Sequence, residues 1–142
     1  MDYPKILVVD DDDDVVSLVQ LEFAKAGIRT DTAASAAEAQ GKMERCVYPV
    51  VVLDIHMPGM SGVDLLDALK RRNSLVQVIM LTADATLAQV IACMDRGATD
   101  FFSKTSALVG VVEAATAALG RAARWLSWLG SPNRVPTGVC GN

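Results

Sequence analysis

Val50-Val51-Val52-Leu53-Asp54-Ile55-His56-Met57-Pro58-Gly59-Met60-Ser61-Gly62 runs four apolar residues into one carboxylate, and a loop containing Pro and Gly follows at once. A short β-branched apolar run of this kind reads as a strand covered on both faces, as in a parallel sheet. Such a strand has no reason to end in Asp unless the carboxylate emerges at the rim of the sheet. In open α/β sheets the rim at the carboxyl ends of the strands is where ligands bind. Asp54 is therefore the first candidate for chemistry, and the rest of the chain is read for partners that could reach it.

Working outward, Ile6-Leu7-Val8-Val9 is a second buried-strand run, and it ends in Asp10-Asp11-Asp12-Asp13-Asp14. A helical pattern follows through Val15, Leu18, Val19 and Phe23, with Gly27 as its C-terminal stop. Residues 29–33 alternate polar and apolar, which suits a more exposed edge strand. Ser35-Ala36-Ala37-Glu38 has the form of a capping box and opens a helix to about Arg45. Ser61-Gly62-Val63-Asp64 is another helix start and leads into Leu65, Leu66 and Leu69. Residues 76–81 form a further strand run that ends in Thr82. A helix starts at Thr86 and stops near Gly97, and a short strand over 98–102 ends at Ser103-Lys104. A last helix covers 106–129, followed by a tail with Pro132 and Pro136. Five strands alternating with five helices imply an α/β fold, a doubly wound parallel sheet with helices on both faces.

The bulk numbers fit one domain. The chain has 142 residues, 51% hydrophobic and 21% charged, enough for a core and far from a disordered composition. The net charge is −4, and the short basic patch Lys70-Arg71-Arg72 sits at a helix end, where cations suit the dipole, so a nucleic-acid surface is not expected. Cys46, Cys93 and Cys140 show neither CxxC spacing nor a disulfide framework, which favours a reducing, cytoplasmic setting. The start lacks the pattern of a signal peptide, and no apolar run approaches the roughly 20 residues that span a bilayer; neither export nor membrane insertion is expected.

The strand ends carry Asp10 and Asp11, Asp54, Thr82 and Lys104. In a parallel sheet all these ends lie on one side, so residues far apart in sequence become neighbours. Three carboxylates about 4 Å apart repel by roughly 1–4 kcal/mol per pair, which calls for a cation. Carboxylate and carbonyl oxygens without His or Cys ligands favour Mg²⁺ or a similar ion such as Mn²⁺. One carboxylate could then act as a nucleophile towards phosphorus, with a lysine and a hydroxyl holding the phosphoryl oxygens. The plainer alternative for the aspartate run is a helix N-terminus, where acids are favoured; that reading suits Asp12, Asp13 and Asp14, while Asp10 and Asp11 follow the strand directly.

With these residues in view the chain resembles the receiver domains of two-component response regulators, of the chemotaxis-regulator-like type, over about residues 4–122. The resemblance rests on Ile-Leu-Val-Val-Asp-Asp at 6–11, Leu-Asp-Ile-His-Met-Pro-Gly-Met-Ser-Gly at 53–62, Leu-Thr-Ala at 81–83 and Gly-Ala-Thr-Asp-Phe-Phe-Ser-Lys at 97–104. It implies a flavodoxin-like sheet of order 2-1-3-4-5. It makes Asp54 the phosphoryl acceptor, Asp10 and Asp11 with Asp54 and the His56 backbone carbonyl the ligands of Mg²⁺, Thr82 and Lys104 the contacts of the phosphoryl group, and Thr82 with Phe101 the switch pair. It places His56 and Asp84 where the lifetime of the phosphoryl group is tuned, and we expect the two to face each other across the cleft. Phosphate would come from a sensor histidine kinase or a phosphotransfer protein, and the output would pass to a downstream protein or domain through the face of the fourth helix, fifth strand and fifth helix. The module is expected to catalyse only its own phosphorylation and dephosphorylation.

Two departures from the family pattern stand out. The family usually has Pro after the lysine in a cis peptide, whereas this chain has Lys104-Thr105. A cis bond before a non-proline residue costs about 2.5–4 kcal/mol, so a trans bond is expected. Phe101 lacks the hydroxyl of a tyrosine, so weaker coupling between ring position and the fourth helix is expected.

We divide the chain into a receiver domain over 1–122 and a C-terminal helix extension with a flexible tail over 123–142. Trp125 and Trp128 in that extension either fold back on the domain or serve a contact, such as a homodimer through the C-terminal helix or through the switching face. A competing reading is a Mg²⁺-dependent phosphatase or phosphotransferase with Asp54 as nucleophile. Such enzymes generally need a second carboxylate two residues on, where this chain has His56. A flavin-binding module ranks lower still, because the loop after Val9 is acidic where a cofactor phosphate wants free backbone N–H groups.

Overall fold

Alternating side chains along the first strand decide how the layers assemble. The computed structural model describes residues 5–105 and 108–128. In β1 (Ile6–Val9) all four residues are buried, but Ile6 and Val8 face one helical layer while Leu7 and Val9 face the other. The same period of two runs through β3 (Val50–Leu53): Val50 and Val52 join one apolar cluster, Val51 and Leu53 the other. A sheet buried on both faces needs helices on both. On one side lie α1 (Asp13–Lys25), through Val19 and Phe23, and α5 (Leu108–Trp128), through Val111, Ala115 and Ala118. On the other lie α2 (Ala36–Arg45) with Ala36 and Ala39, α3 (Gly62–Arg72) with Leu65, Leu66 and Leu69, and α4 (Leu87–Asp95) with Cys93.

Three strands complete the sheet: β2 (Thr30–Ala33), β4 (Gln77–Thr82) and β5 (Asp100–Ser103). The order is β2-β1-β3-β4-β5, every pairing is parallel, and this is the topology expected from the sequence. Most of β2 is half-buried, as its alternation and edge position imply. The helix starts are held by the residues the sequence marked. Asp12 caps α1 by accepting from the backbone N–H groups of Asp14 and Val15. Thr86 and Gln89 form a reciprocal capping box at α4. At α2 the box is shifted by one residue: Ser35 Oγ accepts from Glu38 N–H at 3.1 Å, while the Glu38 carboxylate accepts from Ala34 N–H at 2.6 Å rather than from Ser35.

Differences from the sequence expectation are small and have causes. The last strand begins at Asp100, not 98, because Ala98 N–H turns back to the Cys93 carbonyl and still closes α4, with Gly97 at φ +92° making that turn. The fourth strand begins at Gln77 because Val76 N–H is spent on a turn to the Asn73 carbonyl. Helix α5 runs unbroken through residue 122, as the single helical run expected over 106–129 implies. The ends expected for this helix, at 106 and 129, and the tail with Pro132, Pro136 and Cys140 lie outside the described residues. Cys93 is a buried free thiol, whereas Cys46 is disulfide-bonded, which departs from the reading of the cysteines as showing no disulfide framework and fitting a reducing setting. Among the described residues no helix is long and apolar enough to cross a membrane.

Candidate acidic phosphoacceptor site

The rim at the carboxyl ends of β1, β3, β4 and β5 gathers the residues the strand ends announced. Asp54 follows β3 directly, and its N–H still donates to the Val9 carbonyl at 3.0 Å, so the sheet itself fixes its backbone. Its side chain is only 4% exposed. The loop behind it is forced close by Gly62, whose N–H donates to the Ile55 carbonyl at 2.8 Å. A Cβ at position 62 would sit 2.0 Å from the Asp54 carbonyl oxygen and 2.6 Å from Ile55 Cα, so only glycine allows α3 to start here.

Asp10 leaves β1 in the same way and is 3% exposed, whereas Asp11 is exposed. One carboxylate oxygen from each of Asp10, Asp11 and Asp54 lies within 4.8 Å of the others. Backbone N–H groups orient the two buried carboxylates: Asp12 N–H donates to Asp10 Oδ1 at 3.0 Å, and His56 N–H to Asp54 Oδ1 at 3.2 Å. The opposite oxygens face one cation. Lys104 Nζ lies 2.7 Å from Asp10 Oδ2 and 3.1 Å from Asp54 Oδ2. Burial pushes the Asp10 carboxyl above its ordinary range; the Lys104 hydrogen bond opposes this and the Asp54 charge adds to it. Burial alone would lower the Lys104 pKa, but its hydrogen bonds and charge pairing with Asp10 and Asp54 outweigh it and raise the pKa.

The donor set fits a hard divalent cation. It offers three carboxylates and no thiolate or imidazole, and its negative charge exceeds what one lysine neutralises. Thr82 ends β4 and is buried. Its carbonyl accepts from Lys104 N–H at 2.8 Å, which ties the two strand ends together, and its hydroxyl donates to the Asp84 carbonyl at 3.5 Å rather than to a carboxylate.

His56 and Asp84 do meet across the cleft, but not as two side chains. His56 Nε2 bonds the backbone carbonyl of Asp84 at 2.7 Å, and both residues are exposed. Phe101 is half-buried against the core on the α2–α3–α4 side. The Lys104–Thr105 peptide is trans, as expected, since the described backbone contains no cis bond. Sequence reasoning missed the hydroxyl pair that spans this bond: Ser103 Oγ accepts Thr105 N–H at 3.2 Å and shares a hydrogen bond of 2.7 Å with Thr105 Oγ1. A hydroxyl residue on either side of the lysine was the available signal.

The family model of the response regulator receiver domain matches residues 6–116 of this chain. The chain belongs to the response regulator receiver domain family. The receiver is 33% identical over 118 residues to the transcriptional regulatory protein PrrA of Mycobacterium leprae, covering 83% of this chain and 51% of the relative. It is 31% identical over 100 residues to the alkaline phosphatase synthesis transcriptional regulatory protein PhoP of Bacillus subtilis, covering 70% of this chain and 42% of the relative. It thus spans about half or less of these relatives' lengths. Among solved structures, a response regulator receiver domain protein from Clostridium thermocellum superposes with a TM-score of 0.80 at 29% identity, covering 87% of the receiver and 99% of that chain.

Proposed function

We propose that this receiver is the phosphoacceptor module of a two-component phosphorelay and that Asp54 takes the phosphoryl group. The observation that carries the reading is the juxtaposition of a buried Asp54, the Asp10 and Asp11 carboxylates and the Lys104 ammonium at one sheet rim. In the reaction a carboxylate oxygen of Asp54 attacks the phosphorus of a phosphohistidine on a sensor kinase or phosphotransfer protein. A P–O bond forms and the P–N bond breaks. Its electron pair stays on the imidazole nitrogen, which the aqueous solvent protonates. Asp54 needs no base, because it reacts as a carboxylate. His56 N–H holds one Asp54 oxygen in place, while Lys104 stands ready to neutralise phosphoryl oxygens.

Asp10, Asp11 and Asp54, with the His56 backbone carbonyl, would hold Mg²⁺ or Mn²⁺. When bound, the ion supplies positive charge to the phosphoryl oxygens. Thr82 would turn its hydroxyl from the Asp84 carbonyl to a phosphoryl oxygen. That movement pulls on the segment that leads into α4 and lets Phe101 repack, which reshapes the α4-β5-α5 face for a downstream protein or domain. A homodimer through that face or through α5 is compatible with the exposed apolar residues Leu87, Ile91, Met94 and Trp128. His56 and Asp84, which brace the two loops at the mouth of the site, set how fast water removes the phosphoryl group. The receiver is a switch and not a turnover enzyme: position 56, where a phosphatase would want a carboxylate, carries an imidazole tied to Asp84.

Intact-mass measurement after incubation with acetyl phosphate and Mg²⁺ tests this. One added phosphoryl group in the wild type and none in Asp54→Ala is expected. An unlabelled wild type, a labelled Asp54→Ala variant, or steady turnover of a phosphate ester would contradict it.

A further inference from the structure

We propose that Ser103 positions Lys104 for the phosphoryl group through a hydroxyl-closed turn with Thr105, and so does the work a proline after the lysine would otherwise do. The inference rests on the proposed role of Lys104 and adds a residue to it.

The geometry constrains Lys104 from both sides. On the amino side its N–H is bonded to the Thr82 carbonyl at 2.8 Å, which fixes the end of β5 against the end of β4. On the carboxyl side the chain must leave the sheet for α5, and nothing in a Lys-Thr dipeptide fixes that exit. Thr105, unlike proline, carries a backbone N–H and has a freely varying φ. Ser103 Oγ accepts this N–H at 3.2 Å and bonds the Thr105 hydroxyl at 2.7 Å. Two hydrogen bonds from one side chain thus close a loop around Lys104 with a trans peptide. The Lys104 stem then starts from a fixed Cα, and its ammonium reaches Asp10 at 2.7 Å and Asp54 at 3.1 Å. Lysine loses much rotamer freedom when so placed, so an unfastened backbone would spread the ammonium over positions that no longer meet both carboxylates. Ser103 touches neither carboxylate in the hydrogen-bond pattern; it acts through Lys104 and is a positioning residue.

The test measures beryllofluoride affinity, as a phosphoryl-like probe in the presence of Mg²⁺, for the wild type, Ser103→Ala, Ser103→Thr, Lys104→Ala and the Ser103→Ala/Lys104→Ala double variant. Mn²⁺ affinity and the thermal midpoint are measured alongside. Expected are a loss of about fivefold in Ser103→Ala, the size of about one net hydrogen bond, recovery in Ser103→Thr, which keeps the hydroxyl, and no further loss when Ser103→Ala is added to Lys104→Ala. Mn²⁺ affinity should not fall in Ser103→Ala, since a loosened Lys104 competes less for Asp10 and Asp54, and the midpoint should stay at the wild-type value. Wild-type affinity in Ser103→Ala overturns the proposal. So does a loss that persists undiminished in the Lys104→Ala background, or one matched by falls in midpoint and Mn²⁺ affinity. A wild type that neither binds the probe nor accepts a phosphoryl group on mass measurement contradicts the phosphoacceptor reading itself, and the positioning role with it.

Discussion

The two rims of the sheet both bury polar side chains, but they treat them in opposite ways. At the amino rim Gln77 opens β4 and is 3% exposed. Its Nε2 donates to the Ala118 carbonyl at 2.6 Å, and its Oε1 accepts from Arg121 Nε at 2.7 Å. Nearby, Lys70 Nζ donates to the carbonyls of Ser74 and Val76 at 2.7 and 2.9 Å, and burial lowers its pKa. Here donors and acceptors match, and the circuit fastens α5 and the end of α3 to the sheet. At the carboxyl rim three carboxylates stand against one ammonium. A buried surplus of negative charge costs free energy, and nothing in the packing demands it. On the proposed function, the rim that leaves its polar circuit open is the one kept for species that arrive from solution: a cation and a phosphoryl group.

The largest effect that would break this contrast belongs to Asp10. Asp10→Asn should slow labelling by acetyl phosphate at least about a hundredfold, ~2.8 kcal/mol at tenfold per 1.4 kcal/mol, as followed by intact mass over time. The same change should raise the thermal midpoint of the metal-free protein at pH 7. The sign follows from Asp10's pKa, which the fold raises mainly by burial. Such a group favours the folded state below its unfolded pKa and loses that contribution as pH rises through its folded pKa. At pH 7 the ionised Asp10 is therefore a cost that asparagine removes, and the gain should vanish as pH falls below the ordinary Asp range. A variant less stable than wild type at pH 7 would mean the open rim carries no surplus.

Gln77→Leu sharpens the contrast from the other rim. It leaves the Ala118 carbonyl and Arg121 without their partner, so unfolding free energy from denaturant titration should fall by about 2–3 kcal/mol while the labelling rate per folded molecule stays put. A labelling defect without a stability loss would reverse the assignment of structure to one rim and chemistry to the other. The smallest effect concerns the mouth. His56→Ala removes the ring that braces the Asp84 carbonyl, and phosphate release from the labelled protein should change by about threefold, the scale of a net hydrogen bond below 1 kcal/mol. Asp84→Ala should change it less, since the carbonyl remains. Equal, unchanged rates in both would deny the two residues any part in setting the lifetime.

How much of this the sequence disclosed obeys the same division. The parallel sheet was legible because Ile6–Val9, Val50–Leu53 and Gln77–Thr82 are short apolar runs separated by capped helices. Asp10, Asp54 and Thr82 were legible because they terminate those runs, and Lys104 because it follows the short last strand, where topology alone makes neighbours of distant residues. What escaped depends on atoms that residue identity does not specify. His56 finds a backbone carbonyl instead of the Asp84 carboxylate, and the Asp54 and Asp10 carboxylates are oriented by N–H groups that any residue could supply. Gln77 escaped because one amide in a strand run says nothing of Arg121, 44 residues on, until α5 is laid against the sheet. Trp125, placed on either side of the question by sequence, borders a groove with Lys70, Asp100 and Arg121, while Trp128 is 87% exposed; one tryptophan leans on the domain and the other does not.

The central claim is that the open rim makes Asp54 the phosphoryl acceptor, and chemical trapping tests it most directly. An acyl phosphate, unlike a phosphate ester, is reduced by borohydride, which converts the aspartate to homoserine. Treating the acetyl-phosphate-labelled receiver with borohydride and sequencing its peptides by mass spectrometry should find homoserine at position 54 and at no other position. Homoserine at another aspartate, or a phosphoryl group that survives borohydride as a serine or threonine ester, would contradict it.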